Sequence, residues 1–391
     1  MLNKINFLTA GESHGKGLLG IIEGIPSGLN ISEDYINFHL SRRQKGFGRG
    51  GRMKIENDLS EIYSGVRLGN TIGAPIGLII KNLDSVNWVD IMPINATTLQ
   101  PEKITLPRPG HADLAGIMKH DFDDIRNVIE RSSARETTMR VALGSICRKL
   151  LEECNIHIAS YVTAIHNIID KSSPNQHKVK VINSKADKSP VRSLNSQIEQ
   201  EMIETIKKAQ KNGDTVGGQF RVLVSGVPYG LGSYSSWNKK INAKLSEAIC
   251  SINAIKGVYF GADNASDLFG SQLHDEIGFE KGQFTRLNNN AGGIEGGMTN
   301  GEPIIVNVAI KPIATMTKPL PSVDINTGEI VEAAYNRSDI CQVSRACPVG
   351  ESMIALTLAN SFLEKFGGDS MLEIQTNYSS YTKTHKNFGI K

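Results

Sequence analysis

Few aromatic residues, few cysteines and little net charge characterise this sequence of 391 residues. The five cysteines are odd in number and form no CxxC pair, which argues against a disulfide framework and against a zinc or other metal site. A net charge of +3 is too small to indicate a nucleic-acid or membrane binder by itself. The first residues lack the apolar core of a signal peptide, and no run approaches the roughly 18 apolar residues of a membrane span. We therefore expect an ordinary globular protein in a reducing cytoplasm.

Glycine, by contrast, is abundant, and two glycine-containing segments are similar to each other. Residues 22–29 read IEGIPSGL and residues 224–231 read VSGVPYGL. Each follows a strand-like run and precedes a helical pattern, at 33–43 and at 237–255. This repetition predicts a duplicated core with pseudo-twofold symmetry. The alternative is that Gly-x-Pro-x-Gly is simply a favourable turn sequence.

No linker divides the chain, so the sequence predicts a single α+β domain over residues 1–391. The polar segment 170–195 is expected to be a surface excursion, and the tail 378–391 is expected to be mobile. The remaining predicted elements are helices at 132–154, 196–211 and 350–366, and strands at 72–81, 156–165, 218–227 and 303–311.

The segment from Arg108 to Arg140 combines five arginines with His111 and two adjacent serines. Ser133 and Glu136 have the spacing of a capping box, which predicts the start of a helix. The N–H groups and positive dipole of such a helix end, next to Arg131, would suit a phosphate or carboxylate. The alternative is a well-capped structural helix with solvated arginines.

Two histidines lie in short glycine-containing motifs, His14 in GESHG and His111 in RPGHAD. A histidine in a loop that approaches a ligand closely can donate a proton to a leaving phosphate near neutral pH. For either motif alone, a surface or hydrogen-bonded loop histidine is the commoner case.

The segment RRQKGFGRGGRMK, residues 42–54, holds six cations, with no acid between Asp34 and Glu56. Like charges at this density repel unless an anion is close. The anion could be RNA or DNA, because the segment resembles an RGG stretch. Phe47 is its only aromatic residue, however, and the rest of the chain is near neutral, so a small polyanionic substrate fits better. A solvated basic loop is the remaining alternative.

Three further segments are weaker signals. The glycine-rich loop at 288–303 could lie against a planar ring or a phosphate, although it lacks the ending of a P-loop. A strand and the sequence KPIAT, 311–315, follow it. Asp339 in NRSDIC could form an ion pair with Arg337, lie in a helix cap region, or be a catalytic carboxylate with a cationic or heterocyclic partner.

In this order, GESHG, RRQKGFGRGGRM, RPGHAD, RSSARET, GGIEGG, KPIAT and RSD resemble the motifs of the chorismate synthase family. The resemblance extends from Thr9 to about Leu363. It implies a β-α-β sandwich with internal duplication, assembled as a homotetramer. It also implies conversion of 5-enolpyruvylshikimate 3-phosphate to chorismate and phosphate by a 1,4-anti elimination that requires reduced FMN. This is the last step of the shikimate pathway to the aromatic amino acids.

The resemblance also implies roles for individual residues. His14 matches the histidine that protonates the departing phosphate, and His111 the one that protonates reduced flavin near N1. Asp339 matches the carboxylate that assists proton removal at flavin N5. The expected substrate-binding residues are Arg43, Arg49, Arg52, Arg108 and Arg135. The positions that correspond to FMN-binding residues are Arg131, Ser132, Ser133, Asn253, Ala254, Gly296, Lys311, Pro312, Ile313, Ala314, Thr315 and Arg337.

Some members of the family reduce their own flavin with NADPH, and Arg43 and Arg49 match positions assigned to that nucleotide. The sequence has no separate nicotinamide-binding motif. We therefore expect NADPH to act only as an external or secondary reductant, with reduced FMN supplied by a separate flavin reductase. One departure is clear: many members continue AVPAA after RSDIC, whereas this chain continues QVSRACPVGE.

Overall fold

The computed structural model describes residues 3–49, 56–280, 282–333, 339–386 and 388. The helices are α1 (Glu33–Gln44), α2 (Asp113–His120), α3 (Arg126–Ser132), α4 (Thr137–Glu153), α5 (Val179–Ala186), α6 (Ser196–Lys211), α7 (Ile241–Cys250), α8 (Gly270–Leu273), α9 (Val343–Phe366) and α10 (Met371–Lys386). The strands are β1 (Asn6–Ala10), β2 (Gly17–Glu23), β3 (Ser60–Ile62), β4 (Val66–Arg67), β5 (Asn70–Thr71), β6 (Ile76–Lys81), β7 (His157–Ile165), β8 (Ile168–Ile169), β9 (Gly218–Ser225), β10 (Ile255–Phe260), β11 (Ile277–Glu280), β12 (Gln283–Arg286), β13 (Ile294–Glu295), β14 (Met298–Thr299), β15 (Ile304–Ile310), β16 (Leu320–Val323) and β17 (Ile330–Ala333). This mixture is the α+β class that the sequence predicted.

Two antiparallel sheets contain most of the longer strands. The strand order is β1-β2-β6-β3 in the first sheet and β10-β15-β9-β7-β8 in the second. Helices α4 and α9 pack against each other, α4 also against β2, and α9 also against β7 and β9. Helix α9 is buried along nearly its whole length, as expected of a helix that is apolar on all sides. The main core therefore lies between the sheets.

The two similar turns make equivalent hydrogen bonds. In the first, Thr71 Oγ1 donates to the Pro26 carbonyl at 2.6 Å and accepts from the Leu29 backbone N at 2.9 Å. In the second, Thr299 Oγ1 donates to the Pro228 carbonyl at 2.6 Å and accepts from the Leu231 backbone N at 2.8 Å. The two turns follow β2 and β9, and each of these strands pairs with the strand that follows its threonine, β6 or β15.

Local sequence explains where several helices begin. The Ser32 side chain caps α1 by accepting from the Tyr35 backbone N, and acids in the first turn and arginines in the last suit the helix dipole. The Asn195 side chain caps α6 in the same way by accepting from Gln197 N and Ile198 N. The predicted helix at 350–366 instead begins at Val343, because the chain remains helical through Pro348, which usually disfavours a helix interior.

The helix predicted at 132–154 is divided. Helix α3 ends at Ser132, Ser133 is extended, and a 3-10 turn at Ala134–Glu136 leads into α4. The Ser133 side chain accepts from Arg135 N, as a cap does. The Glu136 carboxylate, however, accepts from Thr9 Oγ1 at 2.7 Å and from the Arg140 side chain instead of completing a capping box. A contact with β1 and an ion pair with Arg140 of α4 thus take the place of the predicted capping box.

Two regions contain helices that the sequence-based predictions did not include. In 170–195, helix α5 buries Val179, Ile182 and Ala186 in a second apolar cluster with residues of β7, β9 and β15, so it covers a sheet face. The tail is helical as far as Lys386, and the Tyr378 ring lies 5.1 Å from that of Phe362. Both helices pack through a few apolar residues, within otherwise polar sequence, that cover an apolar surface. In the described part of the chain, no helix has the length and apolar character that a membrane crossing requires.

Candidate active site

The GESHG loop connects β1 to β2 and holds His14 in a defined position. Gly11 has φ 103°, and a Cβ there would lie 2.3 Å from the Gly17 carbonyl oxygen, so the turn requires glycine. His14 Nδ1 lies 2.8 Å from Glu130 Oε1, and the His14 backbone N donates to Oε2 at 2.8 Å. The ring also lies 3.8 Å from the Trp88 ring. Glu130 and Trp88 therefore set the orientation of the imidazole.

Glu130 is buried and acts as an anion in this contact. Burial would raise the pKa of its carboxyl, but the hydrogen bonds and the charge of His14, with help from Arg126, lower that pKa below its usual value. The ionised carboxylate can accept from Nδ1–H, which fixes one imidazole tautomer and makes Nε2 the nitrogen that would exchange a proton with a ligand.

Asn82 connects the GESHG loop to the segment before α4. Its Nδ2 donates to the carbonyls of Glu12 and Gly15 at 3.0 and 2.8 Å, and its Oδ1 accepts from Arg135 Nε at 2.9 Å. Ser13 Oγ and Ser133 Oγ lie 3.1 Å apart. His14 and the arginine-rich helix start are consequently parts of one site.

An arginine cluster lies beside this junction. Arg135 pairs with Asp58 through Nη1, and its Nη2 lies 3.6 Å from Glu56 Oε2. Arg43, from the last turn of α1, donates to the Ala134 carbonyl at 2.8 Å, and its Nη1 lies 3.6 Å from Asp58 Oδ2. These contacts bring two predicted substrate-binding arginines to the same place.

Two more arginines complete the cluster. Burial lowers the pKa of Arg49 to about 10 and that of Arg345 to about 9, and in Arg345 the charges of Arg43 and Arg49 add to the effect of burial. Burial, with repulsion from Arg135 and Arg49, likewise lowers the pKa of Arg43 to about 10. All three remain charged at neutral pH. Arg49 Nε and Nη2 and Arg345 Nε are buried and have no hydrogen-bond partner among the described residues, which indicates that the site suits an anion.

Two of these arginines, Arg43 and Arg345, open onto a cleft. Arg43, Asn253, Asp339 and Arg345 all line it, and Arg345 Nη1 forms an ion pair with Asp339 Oδ2. The predicted catalytic carboxylate thus lies at the arginine cluster and has a cationic partner. Because Asp339 precedes α9, the buried helix fixes where this pair stands.

The RPGHAD motif is organised around Asp113, which is fully buried. Arg108 donates to its carboxylate from the backbone N at 2.9 Å, from Nε at 2.8 Å and from Nη2 at 2.9 Å. His111 Nδ1 lies 2.6 Å from Asp113 Oδ1. Burial would raise the pKa of Asp113, but the hydrogen bonds from His111 and Arg108 hold it far below its usual value. Arg108 is therefore engaged mainly in orienting His111.

The predicted cofactor residues are joined by a chain of contacts. Arg131 donates to the Thr9 carbonyl at 2.7 Å and to the Gly11 carbonyl at 3.1 Å. Asn253 Nδ2 donates to the Ser132 carbonyl at 2.8 Å, while Ser132 Oγ is buried without a partner.

The same chain of contacts continues to the RPGHAD motif. Lys311 N donates to the Ala254 carbonyl at 3.0 Å, and Lys311 Nζ donates to the Gly110 carbonyl. Arg108 Nη1 donates to Thr315 Oγ1 at 3.1 Å. Between these residues, the Ile313 carbonyl accepts from Thr215 Oγ1 at 2.7 Å. Pro312 and Ala314 belong to the same 311–315 segment.

Three of the predicted ligand-binding residues are not part of the contacts described above. Gly296 lies in the turn between β13 and β14, and the next residue, Gly297, accepts from Ile241 N at the start of α7. Asn253 follows the end of α7, and a helix of ten residues is about 15 Å long, so Gly296 lies well away from it. Arg52 and Arg337 fall outside the described residues.

Several residues of the site were not singled out from the sequence. Asp113 and Glu130 lie inside motifs that the sequence did identify, and an acid close to a histidine or a run of arginines was the available signal. Arg345 lies in the run that departs from AVPAA. Asn82 and Asp58 are isolated polar residues, and nothing in the sequence marks them.

The nucleic-acid alternative for residues 42–54 is not supported. Arg42 is buried, and its Nη2 donates to Glu351 Oε1 at 2.9 Å while its Nε donates to Asp187 Oδ2 at 2.8 Å. Arg43 is directed to the cleft. The described part of this segment therefore contains internal contacts and lacks the solvated arginines that an RNA backbone would need. Among the described residues no group of histidines, cysteines and acids is arranged to hold a metal ion.

Comparison with known proteins agrees with the geometry. The model of the family named Chorismate synthase matches residues 5–363. A chorismate synthase from Alkaliphilus metalliredigens is 50% identical over 378 residues, covering 96% of this chain and 98% of that protein. One from Enterococcus faecalis is 47% identical, covering 98% of this chain and 100% of that protein. A crystal structure of a chorismate synthase has a TM-score of 0.81 and 38% identity, and covers 99% of this chain and 100% of its own.

Proposed function

Because this chain belongs to the chorismate synthase family, we propose that its arginine-lined cleft binds 5-enolpyruvylshikimate 3-phosphate and eliminates phosphate from it. The chain is an enzyme of the lyase class, and its reaction forms chorismate, the last step of the shikimate pathway to the aromatic amino acids. The observation that carries the assignment of the site is the set of buried guanidinium N–H groups for which the described residues provide no acceptor.

The substrate carries two carboxylates and a phosphate, and arginine can bind either group through two parallel hydrogen bonds. We assign Arg43, Arg49 and Arg135 to these anionic groups, because Arg43 lines the cleft and Arg49 and Arg135 lie close enough to repel it. Arg108 is held by Asp113, so its contact with substrate stays a prediction, as does that of Arg52.

Proton transfer is assigned to three residues. The imidazolium of His14, oriented by Glu130, would give the Nε2 proton to the departing phosphate. His111, oriented by Asp113, would supply a proton to the bound flavin, and Asp339 would assist proton removal at flavin N5. Each histidine has a buried carboxylate at Nδ1, the arrangement that fixes an imidazole for acid–base work.

The residues present fit reduced FMN. Ser132 Oγ is a buried hydroxyl without a partner, and Ala254 adopts φ 68°, which turns the backbone beside Asn253 toward Lys311. We propose that the segment 131–133, Asn253, Ala254 and the segment 311–315 hold the cofactor. When bound, reduced FMN supplies transient electron donation to the substrate. Gly296 and Arg337 remain predicted contacts.

The source of reduced FMN is a separate enzyme in our proposal. Of the two positions assigned to NADPH in the family, Arg43 is buried at the substrate cleft, and Arg49 is half-buried and close enough to repel Arg43. That location suits a nucleotide that competes with substrate better than one that binds beside it. NADPH would then be only an external or secondary reductant.

We also propose the family's β-α-β sandwich with internal duplication, on the basis of the two equivalent turns and of α4 and α9 packed between the sheets. The single domain over 1–391 is part of this proposal.

A homotetramer is supported by the first sheet, whose outer face exposes Leu8, Leu19 and Ile21. Leu8 pairs with Ile21, and Leu19 with Ile79, so the apolar side chains are contiguous. Exposed patches of this kind commonly mark contacts between copies.

The five cysteines are free, which suits a reducing cytoplasm.

The test is anaerobic phosphate release from 5-enolpyruvylshikimate 3-phosphate with dithionite-reduced FMN, with and without NADPH. We expect release with reduced FMN and none with NADPH and oxidised FMN alone. His14→Ala and His111→Ala should each lower kcat by roughly 10 to 10⁴. Folded protein that releases no phosphate from authentic substrate would refute the assignment. Wild-type turnover in either variant would remove that histidine from the mechanism.

A further inference from the structure

Arg345 is a charged residue of the cleft to which none of the roles above is assigned. It is the third residue of α9, and its side chain is 16% exposed. One end of its guanidinium, Nη1, pairs with Asp339 Oδ2. Its Nε is buried and has no hydrogen-bond partner in the described part of the chain. The side chain thus has one edge satisfied and one edge unsatisfied at a cleft that Arg43 and Asn253 also line.

The location is unfavourable for an arginine that serves structure alone. The first turn of a helix carries the positive end of the helix dipole, and cations there are destabilising. Helix α9 has no acid in its first turn, and its N-cap residue, Gln342, makes no side-chain cap. Arg345 therefore adds positive charge to an end that already lacks negative charge.

The surrounding charges make the location still less favourable. Arg43 from α1 and Arg49 from the following loop both repel Arg345, and Asp58 only partly offsets them. Burial is the largest influence, and together these effects lower the pKa of Arg345 to about 9. A buried cation among other cations is stable only if an anion completes the site.

We propose that Arg345 has two functions in the cleft: it holds Asp339 in place through one edge of its guanidinium, and it binds an anionic group of the substrate through the other. Arginine can do both at once, because its planar fork carries five N–H donors and stays charged. Lysine offers a single charged point and could replace only one of the two contacts. The inference rests on the proposed function, because it takes the cleft as the substrate site.

The first test compares Arg345→Gln and Arg345→Lys with wild type in the phosphate-release assay. Arg345→Gln should raise KM about tenfold to a hundredfold, the range for a lost charge-assisted hydrogen bond. It should also lower kcat at least tenfold, because Asp339 loses its ion pair with Arg345. Arg345→Lys should reverse part of the KM increase seen in Arg345→Gln but restore little of its lost kcat.

Arg286→Gln is the matched control. Arg286 is also an arginine with a single carboxylate partner, Glu295, and its side chain is 10% exposed, but it lies in β12 away from the cleft. Its KM and kcat should remain those of wild type. The thermal midpoint of each variant shows that the protein is folded.

The second test is a double-mutant cycle with Asp339→Asn. If Arg345 acts on kcat through Asp339, the kcat loss caused by Arg345→Gln should disappear in the Asp339→Asn background, while the KM increase should persist. A kcat loss of equal size in both backgrounds would refute the positioning role. An unchanged KM in folded Arg345→Gln would refute the anion contact even if its thermal midpoint falls, because that pattern is a structural role only.

The two levels of the inference can fail separately. If wild type releases no phosphate, the proposed function fails, and the role of Arg345 in it fails as well. If wild type is active and Arg345→Gln has the same KM and kcat, only the role of Arg345 is wrong.

Discussion

Replacing Asp113 by asparagine tests whether the RPGHAD motif acts by orienting His111. The carboxylate receives four contacts: Oδ2 accepts from Arg108 N and Nε, and Oδ1 from Arg108 Nη2 and His111 Nδ1. An asparagine side chain keeps one oxygen. Whichever way the amide turns, two of the four contacts lose their acceptor and face an NH₂ group.

The magnitude follows from these contacts. A hydrogen bond to a charged group contributes about 1.5–3 kcal/mol, so two lost contacts amount to about 3–6 kcal/mol before the structure relaxes. Breaking a buried ion pair by removing one partner typically destabilises a protein by about 3–5 kcal/mol, which agrees. His111 also loses its fixed orientation, and loss of acid–base help lowers kcat by about 10² to 10⁴.

The assay is anaerobic phosphate release with reduced FMN, together with the thermal midpoint of unfolding. Asp123→Asn is the control, because Asp123 is an aspartate near the same helix, 75% exposed and paired with an exposed lysine, Lys103. We expect no measurable change in the control. If Asp113→Asn keeps kcat within about twofold of wild type and the same midpoint, the contacts around Asp113 do not position His111.

Three other predictions concern groups that the tertiary structure brings together. Glu351→Gln removes the buried partner of three arginines and should lower the free energy of unfolding by about 3–5 kcal/mol, measured in urea. Burial would raise the pKa of Glu351, but the three arginines hold it below its usual value. The stability difference between wild type and Glu351→Gln should therefore be full above about pH 4.3 and shrink as the pH falls further. Thr71→Val and Thr299→Val should each destabilise by about 1–3 kcal/mol, and clearly unequal effects would contradict the equivalence of the two turns. Glu130→Gln should lower kcat by about 10 to 10², because His14 loses its carboxylate, and a wild-type kcat would exclude that role.

Much of the architecture was predictable because it depends on local pattern. The repeated Gly-x-Pro-x-Gly turns, the alternation of β2 and the amphipathic helix α6 are visible in short windows of sequence. Helix α5 and the helical tail were not predicted. Their few apolar residues become informative only when the sheet and the end of α9 that they cover are known.

The site shows the same division. Motifs spread over the chain predicted, through their resemblance to the chorismate synthase family, that His14, His111, Asp339 and a set of arginines belong together. The acids that orient both histidines lie in those motifs as well. Their roles depend on distances that the sequence does not contain.

Arg42 and Arg43 illustrate what each level decides. The sequence by itself determined that two adjacent arginines end a helix and that the segment needs negative charge nearby. Successive residues on an α-helix point about 100° apart, so the two side chains had to face different surroundings. Only the tertiary structure decided that Arg42 meets Glu351 in the core while Arg43 faces the cleft, because the partners come from α9 and from the segment before α4. Residue types determine which charges must be compensated, and packing determines whether a protein acid or a ligand compensates them.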